Sequence, residues 1–494
     1  MFKRIGIILF WFAVLNHICS AQNKSSIQSH FNSFLNDPAL RGSMVGFSIM
    51  NADDGNMIFS YHDSLALIPA SCLKIATTGA ALGILSEHYR FKTKIVYQGN
   101  VDASGILHGD VIIIGGGDPV FGSDRWGEKE GVSEAAEQIN QKIIRAGIKK
   151  IEGKLIVDIS RYDNQFCCHS WACDDTGNYF GAGASAFNFG ENKYDLRLQS
   201  GTRPGLEVKI ISTSPELSHY SFENCLTTGG PHSGDQSNIY PGSTDSSICV
   251  DGSIPLSKSP FVIKGAIPNP SAFAASYISK KLYESGMLSH LNDWQIECGG
   301  IGNSNKNMTW IDSIQSPDLK DIIYYTNLNS INLYAECMLK EMGYIKKGIG
   351  TRQSGVAVVK KYWHDHEVDT SGLFMDDGCG LSKSDRISAL QLCKMLSVIK
   401  QQFYYSDFLK SLPVAGQSGA MKSMGKGTAI DGIVFCKTGH INGIRAYSGY
   451  IKNKSGKWEC FTLIVNNYTS SSQEIHNAIE KLLIGLGTAN YSIF

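Results

Sequence analysis

The chain has 494 residues, of which 43% are hydrophobic and 18% charged, and its 45 basic and 45 acidic residues give a net charge of zero. This composition is typical of a globular protein and excludes a disordered one, and the length predicts more than one structural unit. Nucleic-acid-binding proteins usually carry a basic excess, so we expect no nucleic acid among the partners.

The N-terminus has the pattern of a secretory signal. Lys3 and Arg4 precede the apolar run Ile5–Leu15, and Ser20-Ala21 ends in the small residues that a signal peptidase prefers. Eleven apolar residues are too few to span a bilayer, and no later stretch is longer and as apolar. We therefore predict a signal peptide over residues 1–21, an exported mature protein and no transmembrane anchor in it.

The mature chain begins with a predicted hairpin followed by a helix. Residues 45–50 and 57–61 have strand-like patterns, and the turn-forming residues 51–56 lie between them. Pro69 is well suited to a helix start, and the apolar residues after position 72 are rich in helix formers. We predict a buried helix that begins near residue 70.

Ser71 and Lys74 lie three residues apart at the start of this predicted helix. Residues i and i+3 share one face of a helix, so the Lys74 amine is expected beside the Ser71 hydroxyl. A serine becomes a good nucleophile when a neighbouring base takes its proton, and a desolvated lysine is such a base. Alone, the Ser-x-x-Lys pattern is weak because it is common by chance.

The pattern changes near residue 91. Short strand-like runs cover 92–97, 107–114, 154–158, 195–198 and 206–211, with one amphipathic helix over 132–146. The stretch 212–260 is rich in Ser, Gly, Thr and Pro, and we predict it to be mostly loop. Together these features predict a β-rich accessory insertion over residues 91–269.

After residue 269 long helical patterns return. Helices are predicted over 271–285, 316–325, 330–342, 354–363, 387–400 and 471–486, and strands over 433–437, 444–451 and 459–466. We predict a discontinuous catalytic domain made of residues 22–90 and 270–494.

Three further patterns accompany Ser71 and Lys74. Ser330-Ile331-Asn332 lies at a predicted helix start, Asp377–Ser382 is a glycine-rich turn, and Lys437-Thr438-Gly439 ends a predicted strand. The ordered set Ser-x-x-Lys, Ser-x-Asn and Lys-Thr-Gly is the signature of serine β-lactamases and penicillin-binding proteins. Each pattern alone is weak, but all three in order are strong evidence.

On these motifs the chain resembles the D-alanyl-D-alanine carboxypeptidase/endopeptidase family, the low-molecular-mass class C penicillin-binding proteins. The most specific segments are 69–74, Ser330–Glu336, Leu412–Gly416 and 437–439, and the similarity covers nearly the whole mature chain. The resemblance implies an α+β, multi-domain fold. Its serine β-lactamase/transpeptidase-like domain, an antiparallel sheet flanked by helices, is interrupted by a large insertion.

The resemblance also implies a mechanism. Ser71 attacks a D-Ala-D-Ala bond and forms an acyl-enzyme, Lys74 accepts its proton, and water then releases the acyl group. Burial and a nearby lysine are expected to keep Lys74 neutral. The implied catalytic residues are Ser71, Lys74 and Ser330, and the implied substrate-binding residues are Asn332, Lys437, Thr438, Gly439 and His440, with the backbone N–H groups of Ser71 and His440 as the oxyanion hole.

The implied partners are peptidoglycan stem peptides and, as covalent inhibitors, β-lactams, and the implied location is the periplasm. We expect no cofactor and no metal. Two positions depart from the family: Cys379 replaces a usual serine, and His440 replaces a usual threonine or serine. Neither change removes a group that the chemistry needs, because a backbone N–H serves an oxyanion hole whatever the side chain.

Three features leave alternatives open. Asp174 and Asp175 could contact a cationic peptide side chain, but we favour a solvated turn. Cys167, Cys168 and Cys173 are more typical of a disulfide or free thiols than of a metal site, since no second matched pair exists. Cys72 is expected to point about 100° away from the nucleophile on a helix.

Two other functions fit the same motifs. A serine β-lactamase shares the nucleophile chemistry, but a typical one is far shorter. A non-catalytic cell-wall-binding protein would keep the fold, yet every residue that the implied mechanism needs is present here. The sequence does not separate carboxypeptidase from endopeptidase activity, because both cleave a bond to a D-Ala carbonyl.

Overall fold

The structure is a computed structural model that describes residues 26–127, 131–244, 246–299 and 308–489. The predicted signal peptide, residues 1–21, lies outside the described residues. Among the described helices, none combines the length and the apolar character needed to cross a membrane.

The helices lie mainly towards the two ends of the chain. In chain order they are α1 (26–35), α2 (Lys74–Leu85), α3 (Val132–Arg145), α4 (Cys173–Thr176), α5 (Pro270–Glu284), α6 (Leu319–Leu328), α7 (Asn332–Lys347), α8 (Arg352–Asp365), α9 (Ala389–Lys400), α10 (Tyr405–Ser411) and α11 (Ser472–Thr488).

The strands of the described chain form four sheets. In chain order they are β1 (Met44–Asn51), β2 (Met57–Tyr61), β3 (Lys92–Val101), β4 (Ile106–Ile114), β5 (Lys150–Ile151), β6 (Leu155–Asp158), β7 (Lys193–Gln199), β8 (Lys209–Ser214), β9 (Ser221–Thr228), β10 (Gln236–Pro241), β11 (Ser247–Ile254), β12 (Phe261–Ala266), β13 (Trp294–Glu297), β14 (Met308–Gln315), β15 (Val434–Ile441), β16 (Ile444–Lys452) and β17 (Trp458–Asn466).

The chain divides into two compact units. Of the described residues, the first unit contains those within 1–87, 323–330 and 359–494, and the second contains those within 88–322 and 331–358. This division does not test the accessory insertion over residues 91–269, which stays a prediction.

The first unit is built on a five-stranded antiparallel sheet with the order β15-β16-β17-β1-β2. Side chains alternate between its two faces, as strand geometry requires. Phe47 and Ile49 of β1 belong to an apolar core that also contains buried residues of α1 and α11. On the opposite face, the Cys393 thiol of α9 donates to the Ser48 carbonyl at 3.3 Å. Helices thus cover both faces of the sheet.

Helix α2 lies deep inside this unit. Its residues from Lys74 to Leu82 are buried, so the helix is apolar nearly all round, as expected of a helix with no solvent face. The Trp363 indole donates to the Ala76 carbonyl at 3.0 Å, and a methyl group at Gly79 would lie 2.8 Å from Ile399. Close packing from several sides fixes the position of α2.

The second unit contains the other three sheets. Their orders are β13-β6-β4-β3-β14, with β5 added beside β4, then β12-β7-β8 and β10-β11-β9. One continuous apolar core joins them with helices α3 and α5; Ile113, Ile139, Leu196, Ile248 and Ile278 are among its buried members.

Most predicted elements agree with the structure, including the hairpin β1–β2, helix α3 and the C-terminal strands and helix. The prediction that 212–260 is mostly loop is wrong, because β9, β10 and β11 lie there. These strands contain many Ser, Thr and Gly residues, so composition favoured a loop. Their alternating burial, as in Ser247–Ile254, shows the sheet pattern instead.

The fit around α2 predicts a stability effect. A methyl group at Gly83 would lie 2.2 Å from the Tyr362 hydroxyl, which is itself held by Tyr404 at 2.8 Å. We expect Gly83→Ala to lower the free energy of unfolding by about 1–3 kcal/mol through overpacking, measured by denaturant titration. At Gly230 a methyl group would meet nothing within 4 Å. Gly230→Ala is therefore the control, expected within about 0.5 kcal/mol of wild type. Equal stability of the two variants would contradict this packing account.

Candidate active site

Ser71 and Lys74 come together as the sequence predicts, with one local difference. Ser71 lies in a short 3-10 helix, Ala70–Leu73, and α2 proper begins at Lys74. The Ser71 Oγ and Lys74 Nζ atoms are 2.9 Å apart. Ser71 is half-buried, whereas Lys74 has no exposed surface. The hydroxyl is therefore accessible while the amine beside it is shielded from water.

A second partner holds the Lys74 amine. Nζ lies 2.7 Å from the Cys379 carbonyl oxygen, and one turn along α2 the Thr77 hydroxyl donates to the Gly378 carbonyl at 2.6 Å. Two successive carbonyls of this loop thus face α2. The amine has a fixed position between a hydroxyl and a carbonyl, which is the geometry that a base acting on that hydroxyl needs.

The loop itself is held by one buried carboxylate. Asp377 accepts four backbone N–H groups, from Cys379 (3.0 Å), Gly380 (2.6 Å), Leu381 (3.0 Å) and Ser382 (2.8 Å). This glycine-rich turn is visible in the sequence, but the contact of its Cys379 carbonyl with Lys74 is not. An Asp followed by glycines is the available signal, because such a carboxylate commonly folds a turn around itself.

The turn that carries Ser71 is tightly enclosed. Ala70 has a φ of 46°, a left-handed conformation that a non-glycine residue rarely adopts. A methyl group at Gly380 would lie 1.9 Å from the Ala70 carbonyl oxygen, and one at Gly439 would lie 2.5 Å from the Pro69 carbonyl oxygen. Both positions therefore require glycine so that their segments can approach the nucleophile turn. Backbone strain of this kind is concentrated at functional sites.

Lys437 lies within β15 rather than at the end of a strand, where the sequence placed it. It pairs with Ser448 of β16, its side chain is 1% exposed, and its Nζ donates to the Thr438 carbonyl at 2.8 Å. Burial, and then repulsion by the Lys74 charge, lower the pKa of Lys437 to about 7. The site therefore contains a lysine that gains and loses its charge near neutral pH.

Cys72 follows Ser71 in sequence, but its side chain has different surroundings. Its thiol donates to the Lys437 carbonyl at 3.2 Å and has no exposed surface. Burial raises the pKa of Cys72 to about 12, even though the charges of Lys437 and Lys74 act in the opposite direction. A thiol with this pKa is not a nucleophile at neutral pH. The Cys72 thiol and the Ser71 hydroxyl thus have different partners, Lys437 and Lys74, and the view that Cys72 is not the nucleophile stays a prediction.

Ser330 belongs to the first unit. It is half-buried and has a φ of 59°, which again places a non-glycine residue in the left-handed region. Three residues earlier, the Asn327 amide donates to the hydroxyls of Thr78 at 3.3 Å and Ser411 at 2.8 Å. The segment that leads to Ser330 is thus tied to α2 one turn after Lys74.

Asn332 belongs to the second unit, where it is the first residue of α7. Its side chain is 7% exposed, and its amide donates to the Phe180 carbonyl at 2.8 Å. Asp174 and Asp175 lie in the short helix α4 of the same unit, with Asp174 exposed and Asp175 half-buried. The structure thus assigns the predicted site residues to two groups, one in each unit.

Cys379 and His440, the two positions that depart from the family, keep their backbone groups. Cys379 contributes its carbonyl oxygen to the Lys74 amine, and a carbonyl is independent of the side chain. His440 follows Gly439 in β15 and pairs with Arg445. Partial burial and the charge of Arg445 lower the pKa of His440, so its ring is neutral at pH 7.

The predicted cysteine cluster contains no disulfide. No disulfide joins Cys167, Cys168 or Cys173 to one another or to another cysteine of the described residues. Burial raises the pKa of the Cys167 and Cys168 thiols. The Arg352 guanidinium donates to the Cys167 carbonyl at 3.1 Å, so this segment is fixed through its backbone.

Comparisons with known proteins agree with this geometry. The family model described as the D-Ala-D-Ala carboxypeptidase 3 (S13) family matches residues 27–485. The D-alanyl-D-alanine carboxypeptidase of Actinomadura sp. (strain R39) is 25% identical over 466 residues, which cover 91% of this chain and 82% of that protein.

Solved structures show the same fold. Penicillin binding protein 4 (dacB) from Haemophilus influenzae superimposes with a TM-score of 0.76 at 21% identity, covering 94% of this chain and 98% of the other. A second structure of that protein, complexed with a novel β-lactam, gives a TM-score of 0.72 at 20% identity, covering 95% and 100%. The predicted α+β, transpeptidase-like fold class is thereby confirmed.

Proposed function

The chain belongs to the D-Ala-D-Ala carboxypeptidase 3 (S13) family and is a serine-type D-Ala-D-Ala carboxypeptidase, and we propose that Ser71 is its nucleophile. One observation carries the proposal: the Ser71 hydroxyl lies 2.9 Å from the amine of the fully buried Lys74. Such a pair converts an ordinary hydroxyl into an activated nucleophile.

In the first step, Ser71 Oγ attacks the carbonyl of the D-Ala-D-Ala bond and its proton moves to neutral Lys74. The Cys379 carbonyl, 2.7 Å from Nζ, accepts one N–H of the amine and so directs the nitrogen lone pair towards Ser71. The backbone N–H groups of Ser71 and His440 stabilise the oxyanion that forms.

Lys437 and Thr438 bind the terminal carboxylate of the peptide. The Lys437 ammonium supplies the charge, and the Thr438 hydroxyl donates a hydrogen bond. Gly439, which has no side chain, lets β15 lie against the turn of Ser71. Charge-assisted hydrogen bonds to a carboxylate are among the stronger polar contacts in proteins.

Ser330 passes the proton from Lys74 to the leaving amine of D-alanine, and Asn332 binds the peptide backbone of the substrate. The left-handed conformation of Ser330 and the anchoring of its segment to α2 through Asn327 support a fixed position for that hydroxyl. Water then hydrolyses the Ser71 ester and frees the enzyme.

The same acyl chemistry extends to two further reactions. A peptidoglycan cross-link also joins an amine to a D-Ala carbonyl, so endopeptidase activity needs no new catalytic group. A β-lactam presents a strained amide to Ser71 and would acylate it. The Haemophilus influenzae structure complexed with a β-lactam supports this second reaction for the present fold.

The biological setting follows from the substrate. Stem peptides of peptidoglycan lie outside the cytoplasmic membrane, which agrees with a signal peptide over 1–21 and a periplasmic enzyme. We also propose that residues 91–269 form an accessory insertion in a catalytic domain made of 22–90 and 270–494.

Covalent labelling tests the nucleophile. A fluorescent penicillin should label the wild-type protein and Cys72→Ala, because the Cys72 thiol is buried and protonated. Ser71→Ala should not be labelled, and Lys74→Ala should be labelled at least about 1,000-fold more slowly because it lacks the general base. Labelling of Ser71→Ala, or loss of labelling in Cys72→Ala, would show that Ser71 is not the nucleophile.

The low pKa of Lys437 predicts a pH dependence. Its ammonium is present below pH 7 and lost as the pH rises through about 7, so attraction for the substrate carboxylate falls in that range. We expect kcat/KM for a free-acid peptide, divided by kcat/KM for its C-terminal amide, to fall about tenfold between pH 6 and pH 8.

Dividing by kcat/KM for the amide substrate cancels any pH effect that the two reactions share. In Lys437→Arg the charge persists across this range, so the ratio should be flat. A wild-type ratio that does not change with pH would show that Lys437 does not bind the carboxylate through its charge.

Asp174 and Asp175 remain candidates for contact with a cationic side chain of the stem peptide. If they make that contact, the double variant Asp174→Asn, Asp175→Asn should lose at least about fivefold in kcat/KM for a peptide with a free amine, and nothing for its N-acetylated form. Unchanged selectivity would show that both are solvated residues of a turn.

A further inference from the structure

A groove of about 320 Å³ lies within the second unit, formed by the 3-10 helix Tyr179–Gly181, β10 and β12. Asn178, Tyr179 and Phe180 form its floor, and residues of β10 and β12 line its sides. Its volume falls in the range of small-molecule sites, roughly 300–1,000 Å³. None of the mechanistic roles proposed above uses this groove.

The backbone of the floor is fixed on both sides. The Ala266 N–H donates to the Gly177 carbonyl at 2.9 Å, and Asn178 pairs with Gly265 of β12. On the other side, a methyl group at Gly177 would lie 2.0 Å from the Ile239 carbonyl of β10. The groove is therefore preformed, which limits the entropy lost when a ligand binds.

Three apolar side chains of the groove are exposed. Tyr179 is 49% exposed, Val262 40% and Phe180 36%. The Tyr179 ring is held edge-to-face against Phe180, with ring centroids 5.5 Å apart. An aromatic ring fixed in this way offers an electron-rich face to the C–H bonds of a ligand at little cost in side-chain entropy.

The charged groups of the groove already have partners. The Lys264 amine lies 2.7 Å from the Asp195 carboxylate, and Asp235 accepts the backbone N–H and the hydroxyl of Ser237 at 3.0 and 2.5 Å. The exposed Asn238 amide adds a neutral donor and acceptor. The groove thus favours an uncharged ligand with C–H-rich faces and amide or hydroxyl groups.

One hydrogen bond links the groove to the predicted substrate-binding residue Asn332. The Phe180 carbonyl, beside Tyr179, accepts the amide N–H of Asn332 at 2.8 Å. In the proposed function Asn332 binds the stem peptide. A stem peptide is attached to a glycan strand of N-acetylated amino sugars, whose rings are uncharged, C–H-rich and bear amides and hydroxyls. Stem peptides themselves carry carboxylates and an amine.

We propose that this groove binds an N-acetylated amino sugar of the peptidoglycan glycan strand, with the ring stacked on Tyr179 and its acetamido group hydrogen-bonded to Asn238. The inference rests on the proposed function, since it extends the substrate from the stem peptide to the strand that carries it. The groove would make the enzyme prefer intact peptidoglycan to free peptides.

The test compares two substrates. Tyr179→Ala and Asn238→Ala should raise KM for intact sacculi by about 5- to 10-fold and leave kcat/KM for an N-acylated D-Ala-D-Ala peptide without sugar unchanged. Co-sedimentation with sacculi should weaken by a similar factor, and chitotriose should compete with sacculi for the wild type but not for these two variants. Trp310→Ala is the matched control, because Trp310 is also an exposed aromatic of this unit (51%) but lies outside the groove.

Two results would overturn the proposal. If the Tyr179 and Asn238 variants bind and cleave sacculi as the wild type does, the groove binds no glycan. If they lose activity equally on the sugar-free peptide, the groove binds peptide. Every variant is also tested for labelling of Ser71 by fluorescent penicillin. If the proposed function were wrong, the wild type itself would not be labelled, so this control distinguishes that failure from the two results above.

Discussion

The arrangement of the first unit depends on the Lys74 amine, which is fully buried. Lys74 has no exposed surface, and its Nζ lies between the Ser71 hydroxyl and the Cys379 carbonyl. Burying an ammonium is costly, whereas a neutral amine with two hydrogen-bond partners is tolerated. Lys437, also buried, lies near enough for the Lys74 charge to lower its pKa. Two such amines disfavour being charged together, which suits the proposed function, in which Lys74 is the base and Lys437 binds an anion.

Several features far apart in sequence serve that placement. Asp377 folds the loop that presents the Cys379 carbonyl, and Gly380 and Gly439 allow two segments to contact the turn of Ser71. Burial raises the pKa of the neighbouring Asp385 well above its ordinary value, and the Asp377 charge adds to this effect. Four backbone N–H groups hold the Asp377 carboxyl in place.

The sequence predicted the residue types of the site better than the geometry of the site. The spacing of Ser71 and Lys74 was sufficient to predict their contact, because residues three apart meet in both a 3-10 helix and an α-helix. The role of the Cys379 carbonyl could not be predicted, since a backbone atom leaves no signature of its own and the contact spans 305 positions. The strands β9 to β11 were missed because the stretch that contains them, 212–260, is rich in Ser, Gly, Thr and Pro, while their register is set by tertiary pairing.

In the proposed function, the surroundings of a side chain and not its residue type determine the nucleophile. A thiolate attacks carbonyls more readily than a hydroxyl, so Cys72 would be the intrinsically better candidate beside Ser71. Adjacent residues of a 3-10 helix point about 120° apart, so the thiol faces β15, where it donates to the Lys437 carbonyl. There the cost of burying a thiolate exceeds the attraction of two lysines, and the pKa rises to about 12. In the proposed mechanism the Ser71 hydroxyl needs no charge before attack, because the adjacent Lys74 amine, 2.9 Å away, removes its proton during the reaction. On this proposal, the burial that makes the cysteine unreactive also provides the neutral amine that activates the serine.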